Sequence, residues 1–315
     1  MTVALAQRAT TTRAARAVSA RARGALGFVM TLPPIIFISV FVGFPILLAF
    51  GFSIGLVGGL NSTTALIAQG VRRATGWWGT LAAYQEVFTS PRFLLDLFVT
   101  VVVTIVSTVV VIFLALGIGL YLKLRGGRIA KLLSGLAIVP LFIPVVIASW
   151  SILTFYSATG FLQSVFAQFG MSFPVWSYTI VAIIIGSVWT SLPFAVLMVS
   201  SGLQAIPDAL IEAARDAGAG FVRIVMSVLI PLASVPIIIA TTFTAIGVIG
   251  SFTVPYFTGP TSPTMLGVAM SNSFTAFNRP QQAVVMAFVV FLIASGIAAL
   301  YIWANFRTAK EPGRS

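Results

Sequence analysis

Six long apolar runs leave this chain very few folds. They cover residues 27–53, 96–122, 132–155, 178–201, 229–254 and 283–305. Roughly 20 apolar residues in a helix cross the ~30 Å hydrocarbon core of a bilayer. There the backbone must satisfy its own N–H and C=O groups, and within a single segment only a helix does so. The expectation is an all-α, polytopic membrane protein of six transmembrane helices. Composition points the same way, with 59% hydrophobic residues, 8% charged residues and a mean hydropathy of +1.08. Prolines predict kinks in the spans: Pro33, Pro34 and Pro45 in the first, Pro140 and Pro144 in the third, Pro193 in the fourth, Pro231 and Pro236 in the fifth.

The connections differ in character. Residues 54–92 are more polar and carry Trp77 and Trp78, a pair suited to a helix lying at the membrane interface. Residues 156–176 are a charge-free loop, and 255–281 a loop rich in Gly, Pro, Ser and Asn. An even number of crossings puts both termini on one side. That side carries Arg8, Arg13, Arg16, Arg21 and Arg23, then Lys123, Arg125, Arg128 and Lys131, then Arg215 and Arg223, and finally Arg307, Lys310 and Arg314. The other side has Arg72, Arg73, Arg92 and Arg279 alone. The positive-inside rule makes the richer side cytoplasmic. Residues 1–26 then read as a retained basic tail, because the apolar run that follows is too long for a signal peptide. Residues 27–306 form the membrane domain and 307–315 a second cytoplasmic tail. The net charge of +12 is spread around the spans and forms no single patch, which argues against nucleic acid.

Catalytic constellations are missing from the sequence. It has no cysteine and no histidine, which removes disulfides, Ser-His-Asp triads and the commonest metal ligands. No G-x-x-x-x-G-K-[ST] loop is present to cradle phosphates. No acid lies deep in a span, and Glu86 and Asp96 read as solvated boundary charges. The chain is expected to be no enzyme and to bind no metal or cofactor.

One stretch stands apart. Residues 207–231, PDALIEAARDAGAGFVRIVMSVLIP, hold three of the six acids in the chain. At about 100° per residue, a helix here gathers Asp208, Glu212, Arg215, Asp216 and Arg223 on one face. Ile206, Leu210, Ala213, Ala214, Ala217, Phe221, Ile224 and Val225 take the other. Pro207 suits a first helical position, and Asp208 and Glu212 suit the positive end of the helix dipole. Gly218 permits a bend or the close approach of another backbone. A charged, two-faced helix between greasy spans suggests a docking surface for something in water.

Its pattern of Glu212-Ala213-Ala214, Gly218 and Val228-Leu229-Ile230-Pro231 resembles the EAA loop of type I ATP-binding-cassette (ABC) importer permeases, with conservative departures at Val228 and Ile230. The resemblance implies a coupling helix over 207–225, between spans four and five, with Asp208, Glu212, Ala213, Ala214, Arg215, Asp216 and Gly218 contacting an ATPase. It also implies partners: a cytosolic ATPase dimer holding the ATP and Mg, a second permease subunit and an extracytoplasmic solute-binding protein, all at a bacterial inner membrane. EAARDAGA and the stretch from Gly250 to Pro260 look closest to spermidine/putrescine-type permeases. A sugar permease is the alternative, and a passive channel a more distant one. A polar pathway needs hydroxyls and aromatics inside the bundle, and Thr104, Ser107, Trp150, Thr154, Trp189, Ser251 and Phe252 are the candidates. Small hydroxylated residues also serve simply to pack transmembrane helices.

Overall fold

The structure, a computed structural model, describes residues 28–56 and 68–309. The basic tail expected over 1–26 and the end of the C-terminal tail from 310 lie outside the described residues. Every regular element among those described is helical. Among the described residues, four helices are long and apolar enough to cross a membrane: α1 (Phe28–Ser53), α3 (Pro91–Leu124), α7 (Ile180–Gln204) and α13 (Pro280–Ala309). At 1.5 Å per residue, the 34 residues of α3 extend about 51 Å, well past the hydrocarbon on at least one side.

Spans three and five are not single rods. The third is α4 (Gly127–Ile138), a 3₁₀ turn at Val139–Phe142, then α5 (Val145–Phe155), with a bend of 108°. Pro144 explains the break. Its ring pushes Ile143 into extended backbone (φ −102°, ψ 121°), and it has no N–H with which to continue the helix. The fifth is α9 (Phe221–Leu232) and α10 (Ser234–Ile249), bent by 72° at Ala233, between Pro231 and Pro236. The expected kinks there are large enough to redirect the chain.

Pro45 and Pro231 act differently. Each sits two residues after a π-helical turn, at Ser39–Gly43 and Val225–Leu229. In each, the turn just before the proline is widened to i→i+5: Phe44 N–H donates to Ser39 O, and Ile230 N–H to Val225 O. α1 therefore continues through Pro45.

The core is built by α3, α7 and α10. Toward the Leu124 end of α3, Val111, Ala115, Ala195, Val196, Val199, Leu203, Leu229 and Ala240 form one buried cluster. Toward its Pro91 end, Val99, Val103, Ile183, Val248, Val254 and Met265 form another. A third joins α13 to Phe93, Ile249, Leu266 and the short helix α2 (Ala82–Phe88). Trp77 and Trp78 stack on each other, but in an exposed turn before α2, so the interfacial helix expected to carry them is absent there. The charge-free loop contains α6 (Phe161–Ala167). The loop 255–281 is more ordered than expected, holding α11 (Thr253–Thr258) and α12 (Leu266–Thr275). α12 is buried through Leu266, Gly267, Val268 and Ala269. At about ten residues, such a helix is too short to register as a span.

Gly202 fixes how α7 meets α10, because a Cβ there would collide with the Pro236 ring. Gly202→Val is expected to lower stability by about 1–3 kcal/mol through overpacking, read as a fall in the thermal midpoint of the detergent-purified protein. Gly247→Ala, where a Cβ would meet open space, should leave that midpoint almost unchanged.

Candidate functional site

The stretch 207–231 is two helices. α8 runs Asp208–Asp216, with Pro207 just outside it as the N-cap. Gly218 ends the helix: it adopts φ +79°, its N–H donates to Arg215 O (2.8 Å), and Ala219 N–H donates to Ala214 O (2.9 Å). That pair of bonds is the Schellman arrangement, whose left-handed position favours Gly. Among the described residues, nothing else lies within 4 Å of a Cβ built on Gly218, so close packing against them is not its reason. The break corrects the expectation of one helix over 207–225, and Arg223 does not share a continuous face with Asp208, Glu212 and Arg215.

α8 is held on one side and open on the other. Ile211 is its buried residue and joins the cluster of Leu203, Ile206 and Ile224. Glu212, Ala213, Arg215 and Asp216 are exposed, as are Leu210, Phe221 and Val222, while Ala214 is half-buried. Among the described residues, Glu212, Arg215 and Asp216 form no ion pair.

The anchor of α8 has no local signature in the sequence. Lys123, in the last turn of α3, donates to the Ile206 carbonyl (2.7 Å) and to Asp208 Oδ1 (2.6 Å). Its side chain is 5% exposed against 76% for Asp208. A buried ammonium needs such partners. The carbonyl is the partner that matters, because the exposed carboxylate is well solvated and contributes little. Lys123, Asp208, Ile211, Glu212 and Arg215 line a shallow polar cleft.

The pathway candidates separate into two groups. Thr104 and Ser107 are buried within the packing of α3. Thr104 Oγ1 donates to Thr100 O (2.7 Å). Ser107 lies one turn beyond Val103 and one turn before Val111, between the two core clusters, and its hydroxyl finds no partner among the described residues. Trp150, Thr154 and Phe252 are exposed, and Ser251 is half-buried. Trp189 lines a largely apolar cleft with Ile143, Ser151, Ile152 and Phe155. The structure brings α5 and α7 together at that cleft but does not unite it with Thr104 and Ser107.

The boundary acids are more engaged than expected. Asp96 is 2% exposed, and its Oδ1 accepts the Thr264 N–H at 2.8 Å, so it fastens the turn before α12 to α3. Thr100 Oγ1 accepts the Leu266 N–H beside it. Glu86 pairs with Arg72 (3.1 Å) and accepts from Gln282.

This arrangement of broken spans around a central helix pair, with a charged helix at one end, can be set beside known proteins. The family described as binding-protein-dependent transport system inner membrane component matches residues 114–307. The chain belongs to this family. It is the permease of an ABC importer, a multi-pass transport subunit of a bacterial membrane. Among its relatives, the sulfoquinovosyl glycerol transport system permease SmoG of Agrobacterium fabrum is 27% identical over 230 residues, covering 70% of this chain and 74% of that protein. The trehalose/maltose transport system permease MalF of Thermococcus litoralis is 29% identical over 261 residues, covering 80% and 82%. The spermidine/putrescine transport system permease PotB of Escherichia coli is 27% identical over 182 residues, covering 57% and 66%. A chain from the crystal structure of a bacterial alginate ABC transporter with an alginate pentasaccharide-bound periplasmic protein superposes with a TM-score of 0.72 at 16% identity. That match covers 91% of the permease and 96% of the other chain, and it shows the fold.

The anchor makes an asymmetric prediction. Lys123→Ala should destabilise the permease by about 1–3 kcal/mol, because it leaves the Ile206 carbonyl without its donor. Asp208→Ala should cost under about 1 kcal/mol, as for an exposed ion pair. Thermal unfolding of the two variants checks the order.

Proposed function

We propose that α8 is the coupling helix through which a separate ATPase subunit drives the permease. The observation that carries this is its placement: α8 is bonded to the foot of α3 through Lys123, yet turns a charged and partly apolar face to solvent. The family assignment supports the reading, since an importer permease lacking a phosphate-cradling loop must take its driving force from another chain. Glu212 and Asp216 face out as free carboxylates for cations of the ATPase, and Ala213 keeps the contact close. The Gly218 turn lets the chain leave α8 and re-enter the bundle as α9.

The mechanism is then a rigid-body lever. ATP and Mg are held by two ATPase subunits, one beneath each permease of a pair. Their closure displaces α8. The Ile206 carbonyl and Ile211 pass the displacement to α3 and α7, and α9 passes it to α10. The bends at Ile143 and Ala233 divide the bundle into parts that can move against one another. By the charge asymmetry of the sequence, α8 faces the cytoplasm with both termini, and the Pro91 end of α3 faces outward to receive cargo from a solute-binding protein.

The cargo is a small polar solute; permeases for sugars and for polyamines both stand among the relatives, and two observations favour a sugar. The two sugar-type relatives align over more of this chain than the spermidine/putrescine permease does. A polycation would also call for carboxylates in the bundle, and the one buried acid among the described residues, Asp96, is occupied by a backbone N–H.

Glu212→Ala and Gly218→Asp should each reduce ATP-dependent uptake to background while the permease stays inserted and soluble in mild detergent. Unchanged uptake in both variants contradicts the coupling role.

A further inference from the structure

At the Pro91 end of the bundle, α3, α12 and α13 line a half-open cavity of about 490 Å³, within the ~300–1,000 Å³ range of small-molecule sites. Two arginines line it, Arg92 at the start of α3 and Arg279 just before α13. The Arg92 guanidinium lies 5.8 Å from the centroid of Phe277, another lining residue. Among the described residues, neither arginine is within ion-pair distance of a carboxylate. Glu86, which could have served, is taken by Arg72 and Gln282. Among the described residues, Asp96 is the one acid lining the cavity, and one of its oxygens is held by the Thr264 N–H. Two guanidiniums against one carboxylate leave the cavity positive. The N-termini of two helices of 34 and 30 residues at its wall add to that potential.

The neutral lining is chosen for hydroxyls. Asn272, Ser273 and Asn278 face the cavity, and their side chains make no hydrogen bond among the described residues. Ser273 is only 8% exposed, so its hydroxyl has the cavity as its outlet. Asn272 and Asn278 are half-buried, so their amides are open to the cavity. Two amides and a hydroxyl offer both donors and acceptors, and Phe277 offers an apolar face against which a pyranose ring can lie.

We propose that this cavity is a binding site for a small hydroxylated acid, a sugar carrying a carboxylate or sulfonate, at the outward mouth of the permease. Arg92 and Arg279 take the anionic group, and Asn272, Ser273 and Asn278 take the hydroxyls. The site deepens the importer reading, on which its outward orientation rests, and it selects against polyamines, which the same two arginines repel. The shared chemistry, a hydroxylated anion, also exists in phosphatidylglycerol headgroups, so the test must separate the two.

The purified transporter complex in phosphatidylcholine nanodiscs is titrated calorimetrically with glucuronate, glucose and spermidine. Glucuronate should bind at least tenfold more tightly than glucose, spermidine should show no binding, and Arg92→Gln and Arg279→Gln should each weaken glucuronate at least tenfold. Adding phosphatidylglycerol to the discs should leave glucuronate affinity within twofold. Equal binding of glucose, or glucuronate binding indifferent to both substitutions, overturns the site. So does loss of glucuronate binding in phosphatidylglycerol discs, which would assign the cavity to lipid. The wild-type comparison of glucuronate with glucose needs no variant to fold. Gel analysis of the same sample tests the importer reading separately: a complex that retains an ATPase yet binds no glucuronate removes the site alone, and a permease that purifies without any ATPase removes the coupling reading.

Discussion

The hydrogen bond from Lys123 to the Ile206 carbonyl joins the charged helix α8 to the long central helices of this permease. It ties the last turn of α3 to the turn between α7 and α8. Without it, α8 would hang on one peptide segment and on Ile211. With it, α8 is held to both α3 and α7. The bond is strong because its environment is dry: an ammonium that is almost wholly buried keeps its donors aimed at the few acceptors within reach. The neighbouring Asp208 sits in water, and its share is correspondingly small.

Backbone satisfaction in hydrocarbon shapes everything above that foot. A helix that loses a hydrogen bond within a bilayer must recover it or place the break against protein. Both solutions are present. At Pro45 the helix widens by one residue and continues. At Pro144 it stops, and the chain restarts at a steep angle. The Pro91 end uses side chains for the same purpose. Asp96 and Thr100 receive the backbone N–H groups of Thr264 and Leu266, which would otherwise be orphaned where the chain dips back into the bundle. A carboxylate inside the membrane domain here serves structure, holding in place the helix whose far end lines the arginine cavity.

How much of this could be read from the residues varies with the range of the interaction. Four spans are legible because a long apolar helix is a local, additive property of its own sequence. Prolines announce that spans three and five are interrupted, but the angle depends on which carbonyls are reclaimed and by whom, which composition does not encode. The short helices α11 and α12 went unread because Gly, Pro, Ser and Asn dominate their surroundings and each is under three turns long. Within 207–231, periodicity found the charged helix and Gly218 but ran the helix through it. The left-handed turn at Gly218 was the available signal, since Gly followed by Ala-Gly after a charged last turn is a stop pattern. Lys123 and Asp96 lay beyond reach, because their partners are 83 and 168 residues away.

The chain has no cysteine, so a single Ala213→Cys substitution gives one reactive thiol on the exposed face of α8. Labelling it with a membrane-impermeant maleimide, in sealed vesicles of each orientation and with the ATPase present or stripped away, tests the lever most directly. Reaction is expected only in inside-out vesicles, with protection whenever the ATPase is bound. Reaction in right-side-out vesicles, or equal reaction with and without the ATPase, would contradict the lever.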